Sequence, residues 1–204
     1  MKKILLIVAV MLCAAVVING QNRLTGVIVE SEPALGERGL TRIHWWNPQK
    51  DMPVAAVSIE FGRPVWNRQL DNPAAFDQLT RGKVWRLGND YWTTLDTNLP
   101  LTIAGRKIAV GLWYLGLDRS SDGAIWSLAF IDPVKARSGG MDGHWMERVP
   151  VEFKVPLTVE TSNAALTEKL TITLAAQPDN MRNLTLRIAW GRLHLSTAVQ
   201  AVFE

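Results

Sequence analysis

Strict two-residue alternation between apolar and polar side chains governs this chain from Val151 onward. Val151, Phe153 and Val155 alternate with Glu152 and Lys154, and Leu170, Ile172 and Leu174 alternate with Lys169, Thr171 and Thr173. Leu184, Leu186, Ile188 and Trp190 alternate with Thr185, Arg187 and Ala189, and Leu193, Leu195, Thr197 and Val199 follow a Gly191-Arg192 turn. Successive side chains of an extended strand point to opposite faces, so each run buries one face and wets the other. No long stretch carries the 3.6-residue period of an amphipathic helix. The pattern predicts an all-β fold, an antiparallel β-sandwich (jelly-roll-like) of about ten short strands.

Upstream the same pattern continues with more punctuation. Gly26–Glu30 reads as a first strand and Ser31–Gly39 as a loop. Thr41–Trp46 reads as a strand with Ile43 and Trp45 on one face and His44 and Trp46 on the other. Val54–Phe61 alternates cleanly. Asn72-Pro73 can cap and open a helical turn through Phe76 and Leu79, and Asp132-Pro133 can do the same before Ser138. Leu101–Ile103 and Arg106–Leu117 read as the arms of a hairpin turning at Ala104-Gly105. Gly111 and Gly116 interrupt the second arm, marking bulges or close backbone approach. Trp126–Ile131 is a further strand. At the centre lies Lys83-Val84-Trp85-Arg86-Leu87, stopped by Gly88-Asn89-Asp90.

The amino terminus has a different character. Met1-Lys2-Lys3 precedes an unbroken apolar run of 15 residues, Ile4 to Ile18. That is short of the ~20 residues a spanning helix needs and matches a signal-peptide core after a basic start. Residues 1–20 are therefore expected to be a signal peptide, or an uncleaved anchor, and residues 21–204 a single domain. The expected location is exported, periplasmic or extracellular, with any membrane attachment confined to residues 4–18. Cys13, the sole cysteine, follows Leu12 where a lipid-modified cysteine calls for a small residue, so it reads as part of the apolar run. A mature domain cut after it contains no cysteine, hence no disulfide and no thiol nucleophile.

Removing Lys2 and Lys3 turns a formal net charge of +3 into 20 basic against 19 acidic residues. No basic run remains, which argues against nucleic acid, since phosphate neutralisation needs clustered Lys and Arg. The hydrophobic fraction of 48% excludes a largely disordered chain.

Phe61-Gly62-Arg63-Pro64, then Leu79-Thr80-Arg81-Gly82-Lys83-Val84-Trp85-Arg86-Leu87-Gly88, then Thr93-Thr94-Leu95, resemble the signature of a bacterial exported family, domain of unknown function 2911. The resemblance spans roughly Val54 to Val199. That family continues after the glycine with Ala-Asn-Glu-Ala, where this chain reads Asn89-Asp90-Tyr91-Trp92. The resemblance implies a β fold and an exported setting, and it brings no activity with it.

Three constellations stand out. Alternation places Arg86 on the face opposite Trp85, near the Gly88 turn, and Arg63 also follows a strand end. With Asp90 the two arginines form either a brace that satisfies turn carbonyls or a forked site for a carboxylate, phosphate or sulfated sugar. Nine tryptophans outnumber the seven Phe and Tyr together. Trp85, Trp126 and Trp190 fall in alternating strands and read as core. Trp66 and Trp145 fall in polar loops, where an indole can stack on a sugar face. The histidines His44, His144 and His194 lack the short paired spacing of a zinc site, and no Gly-x-Ser-x-Gly elbow occurs.

The sequence thus predicts a non-enzymatic binding module of the bacterial envelope, with no cofactor, no metal and no catalytic residue assigned. The candidate ligand-binding residues are Arg63, Arg86, Asn89, Asp90, Trp66 and Trp145. The candidate partners are a small anionic ligand, a glycan or an envelope protein. The alternative is a hydrolase or other small-molecule enzyme with its site around Arg63, Arg86 and Asp90.

Overall fold

The computed structural model describes residues 36–160 and 166–203. The expected signal segment with Cys13, the strand Gly26–Glu30 and the first part of the loop after it lie outside the described residues. None of the described helices is long and apolar enough to cross a membrane.

The described residues form twelve strands, all paired antiparallel. The first layer runs β1 (Arg38–Asn47), β2 (Met52–Gly62), β4 (Thr93–Thr97), β7 (Gly111–Arg119), β8 (Trp126–Ile131) and β9 (Phe153–Val159), in that spatial order. The short β3 (Lys83–Arg86) pairs with β7 beyond the end of β4. The second layer holds β10 (Thr167–Gln177), β11 (Asn180–Gly191) and β12 (Leu193–Ala201), with the hairpin of β5 (Leu101–Ile103) and β6 (Arg106–Ile108) on the edge of β12. Strand β9 pairs with β8 and with β12, so it carries the sheet from one layer to the other. At the opposite side Val65 bridges Lys169, and Leu170 N–H donates to the Pro64 carbonyl at 3.0 Å. That contact stitches the exit of β2 onto β10. The last four strands form a Greek key, β10-β11-β12 returning beside β9, and the first layer follows chain order with β3 and the β5-β6 hairpin set off it.

The alternation becomes burial where it was read. Leu184, Leu186, Ile188 and Trp190 of β11 are buried, and Arg187 is exposed. They face Val57, Ile59, Leu95, Leu117, Leu128 and Phe130 of the first layer in one core. Strand β8 is buried along its whole length, because its second face is covered too. There Trp92, Tyr114, Ile131, Ala136, Met146 and Val149 form a smaller cluster. Its cover comes from helix α2 (Pro133–Ser138) and a 3-10 turn over Gly143–Arg148. Both expected caps are present. Asn72 Oδ1 accepts from Ala74 N–H at 2.9 Å to open helix α1 (Pro73–Thr80), and Asp132 Oδ1 accepts from Val134 N–H at 2.7 Å.

One expectation is corrected. The second arm of the Ala104-Gly105 hairpin is not continuous from Arg106 to Leu117. It breaks after Ile108, and Gly111, at φ +127°, starts a new strand that leaves β5 and β6 and joins β4 and β8. An L-residue rarely adopts that φ, so the glycine lets the chain change layers. The close approach read at Gly116 is real: a Cβ there would stand 3.2 Å from Met146 Sδ.

Candidate functional site

The site grows from the alternation of β3. Trp85 turns inward and packs on Trp190 with ring centroids 5.8 Å apart, while Leu87 is fully buried in the same core. Val84 and Arg86 therefore face outward, toward the 3-10 turn Gly143–Arg148. Arg86 is paired with Gly116 on β7. The missing side chain at Gly116 leaves room for Met146 to seat on the sheet and bring the turn over Arg86. Asp142 starts that turn, its Oδ1 accepting from His144 N–H at 2.9 Å. Gly143 lies over the Arg86 stem: a Cβ there would be 3.4 Å from Arg86 Cδ.

Between β3 and the turn lies a cavity of about 350 Å³, lined by Val84, Arg86, His144, Trp145, Glu147 and Arg148 among others. Arg86 is half-buried, and its Nη1 does two things. It donates to the Asp90 carbonyl at 3.0 Å and meets His144 Nδ1 at 3.2 Å. A guanidinium only donates, so in this contact His144 Nδ1 is the acceptor. Among the described residues no carboxylate lies within ion-pair distance of Arg86 or Arg148. Glu147 reaches instead toward Lys83, at 3.9 Å. Trp145 remains half exposed at the rim. The arrangement offers guanidinium N–H donors and an uncompensated positive charge beside an apolar indole face.

The residues singled out in the sequence separate here. Arg63 is a brace: its Nε donates to the Leu170 carbonyl at 3.2 Å, its Nη2 to Thr171 Oγ1 at 3.4 Å, and it pairs with Glu37. Glu37 also holds Lys169. The hydrogen bond from Lys169, with the nearby Arg63 charge, keeps the Glu37 carboxyl below the usual carboxylate range. Asn89 packs against Gly62, where a Cβ would meet the Asn89 carbonyl at 2.3 Å, and its Oδ1 is buried without a partner among the described residues. Asp90, at φ +62°, sends its carboxylate to Gly36 N–H at 3.0 Å, so Arg86 meets its main chain and not its side chain. Arg63, Asn89 and Asp90 do not line the cavity that holds Arg86.

Trp66 lies apart from the Arg86 cavity, largely in the core with one edge on a smaller cavity of about 220 Å³ beside Phe76 and Arg192. It is 7% exposed, packs edge-on against Trp190 at 4.9 Å, and donates its Nε1–H to Asp71 at 3.0 Å. A turn residue became core because Gly191, at φ +60°, lets β11 and β12 turn directly beneath the ring. Trp145, by contrast, is half exposed and lines the Arg86 cavity. Sequence reasoning missed Arg148 and the partnership of His144 with Arg86. Both sit on a 3-10 turn without periodicity, and the one legible signal was Asp142 two residues before His144, an Asx-type start. No group of three His, Cys, Asp or Glu side chains stands close enough to hold a metal ion among the described residues.

The family described as "Protein of unknown function (DUF2911)" matches residues 47–199, well over half of the chain. No curated protein and no solved structure matches it.

Proposed function

The chain belongs to the DUF2911 family, and from that premise we propose that it is an exported, non-enzymatic binding module of the bacterial envelope. Its ligand is a small anion of hexuronate size, held between Arg86 and Trp145. The observation that carries this reading is the uncompensated guanidinium of Arg86 in a walled cavity. The other half-buried arginines among the described residues each have a carboxylate: Arg38 has Glu60, Arg63 has Glu37 and Arg119 has Asp77. Arg86 has a carbonyl and an imidazole nitrogen but no carboxylate among the described residues, so its charge is left for an anion, and its fork suits a carboxylate. A cavity of about 350 Å³ accommodates one sugar-sized ligand. Trp145 supplies the apolar platform on which a pyranose face stacks. Export is supported by the basic start and the short apolar run Ile4–Ile18.

The test is a denaturation midpoint measured with and without galacturonate for wild type, Arg86→Ala and Arg86→Lys. Galacturonate is expected to raise the midpoint of the wild type through linkage. Arg86→Ala should lose about 1 kcal/mol of stability with its turn hydrogen bond and lose the ligand-dependent rise entirely. Lysine keeps the charge without the fork and should recover part of the rise. A drop in midpoint for Arg86→Ala with no ligand-dependent rise in any variant would reduce Arg86 to a turn brace and overturn the proposal.

A further inference from the structure

The outer face of the first layer carries a second trough, away from Arg86. Strands β1, β2 and β4 lie side by side, and their register places Arg42, Ser58 and Asp96 in one row across the sheet. The next row along β2 holds His44 and Ala56, with Asn98 bonded to the Ala56 main chain. Here the middle strand bears the small Ala56 and Ser58, flanked by Leu40 and Arg42 on one side and Asp96 and Asn98 on the other, which makes a trough of about 360 Å³. The walls are two strand spacings apart, roughly 10 Å between backbones. Among the described residues neither Arg42 nor Asp96 enters an ion pair, although Arg38 on β1 and Glu60 on β2 do.

We propose that this trough is a binding site for a neutral saccharide chain. One wall offers guanidinium donors, the other a carboxylate acceptor, and the floor a hydroxyl that is both. Asn98 Oδ1 is spent on Ala56 N–H at 2.7 Å, which aims its amide N–H groups as further donors. Opposed, unspent donors and acceptors of balanced charge suit vicinal hydroxyls, each of which donates and accepts. A net anion or cation would meet one wall of its own sign. His44 stands two residues beyond Arg42 on the same face, and Trp46, past a break in register after Trp45, packs edge-on against it at 5.6 Å and is 48% exposed. Arg42 to Trp46 spans about 13 Å of strand, so the indole can stack on a sugar unit next to the one in the trough. The site is independent of the Arg86 cavity and shares no residue with it.

The experiment is calorimetric titration of the full chain with cellulose-, laminarin-, starch- and mannan-derived neutral oligosaccharides, one series at a time. At least one series is expected to bind the wild type. Asp96→Ala and Trp46→Ala, both at exposed positions, should each weaken it about tenfold or more without moving the denaturation midpoint. Ser58→Tyr, which fills the floor, should abolish it, and Arg86→Ala should leave it unchanged. Failure of every series to bind, or binding undiminished in Asp96→Ala and Ser58→Tyr, would overturn the proposal. Loss of binding in Arg86→Ala alone would return the saccharide to the other cavity and overturn it equally.

Discussion

Arg63 and Arg86 read alike in the sequence, each at the end of an extended run, and the structure gives them different partners. Arg63 is held by Glu37, Leu170 and Thr171, while Arg86 meets the Asp90 carbonyl and His144 and no carboxylate among the described residues. The difference was not legible because the deciding partners are distant in the chain: the Leu170 and Thr171 contacts span more than a hundred residues, and His144 comes from 58 residues away. Glu37 shows what such a contact does. It joins Arg63 at the exit of β2 to Lys169 on β10. Its carboxyl is held below the usual range chiefly by the Lys169 hydrogen bond. A depressed carboxyl pKa means the folded state favours the charged form. The contribution is therefore complete above the unfolded value, about 4.3, and is lost as pH falls through the lower folded value. Glu37→Gln should lower the denaturation midpoint at pH 7, and the gap from wild type should close as the solution is acidified below about pH 4. A gap that is unchanged, or wider, at low pH would show that the Glu37 charge does not act through this clamp.

At the scale of elements, the alternating runs were legible because one buried face imposes period two wherever a strand lies on a core. Strand β11 is the sharpest instance. Leu186 is 1% exposed in the core, whereas Arg187 faces outward and pairs with Glu160 at 3.2 Å. Leu186→Ala should cost about 2–5 kcal/mol by urea denaturation, since it opens a cavity in a packed layer. Arg187→Ala should cost less than about 1 kcal/mol, because the pair it removes is exposed. Equal costs would mean that the strand is inverted. The helix caps at Asn72 and Asp132 were legible for a chemical reason, a short polar side chain placed before proline. The break between β6 and β7 was not. Both read as strand, and only the φ of Gly111 and the choice of neighbour separate them. The 3-10 turn over Arg86 left no periodic trace at all, and with it half of the candidate site stayed hidden.

For the molecule as a whole, fold class was legible and strand order was not, because alternation records which face is buried and says nothing of which strand lies alongside. The pairing of β9 with both layers joins the two sheets. On the outer face of the first layer, the β3-β7-β8 side carries a cover of helix and 3-10 turn with the Arg86 cavity beneath it, and the β1-β2-β4 region stays open. An envelope module requires export. Mass spectrometry of the mature protein is expected to find its amino terminus between Val16 and Arg23, and an intact Met1 in the envelope fraction would replace cleavage with an anchor. The measurement that bears most directly on the account is calorimetric titration of galacturonate, with galactose as the uncharged control, into wild type, Arg86→Ala and Trp145→Ala. One site per chain should bind galacturonate and not galactose, vanish in Arg86→Ala and weaken about tenfold in Trp145→Ala. Wild type that binds galactose as well as galacturonate, or Arg86→Ala that binds galacturonate as well as wild type does, would contradict the claim that Arg86 is held free for an anion.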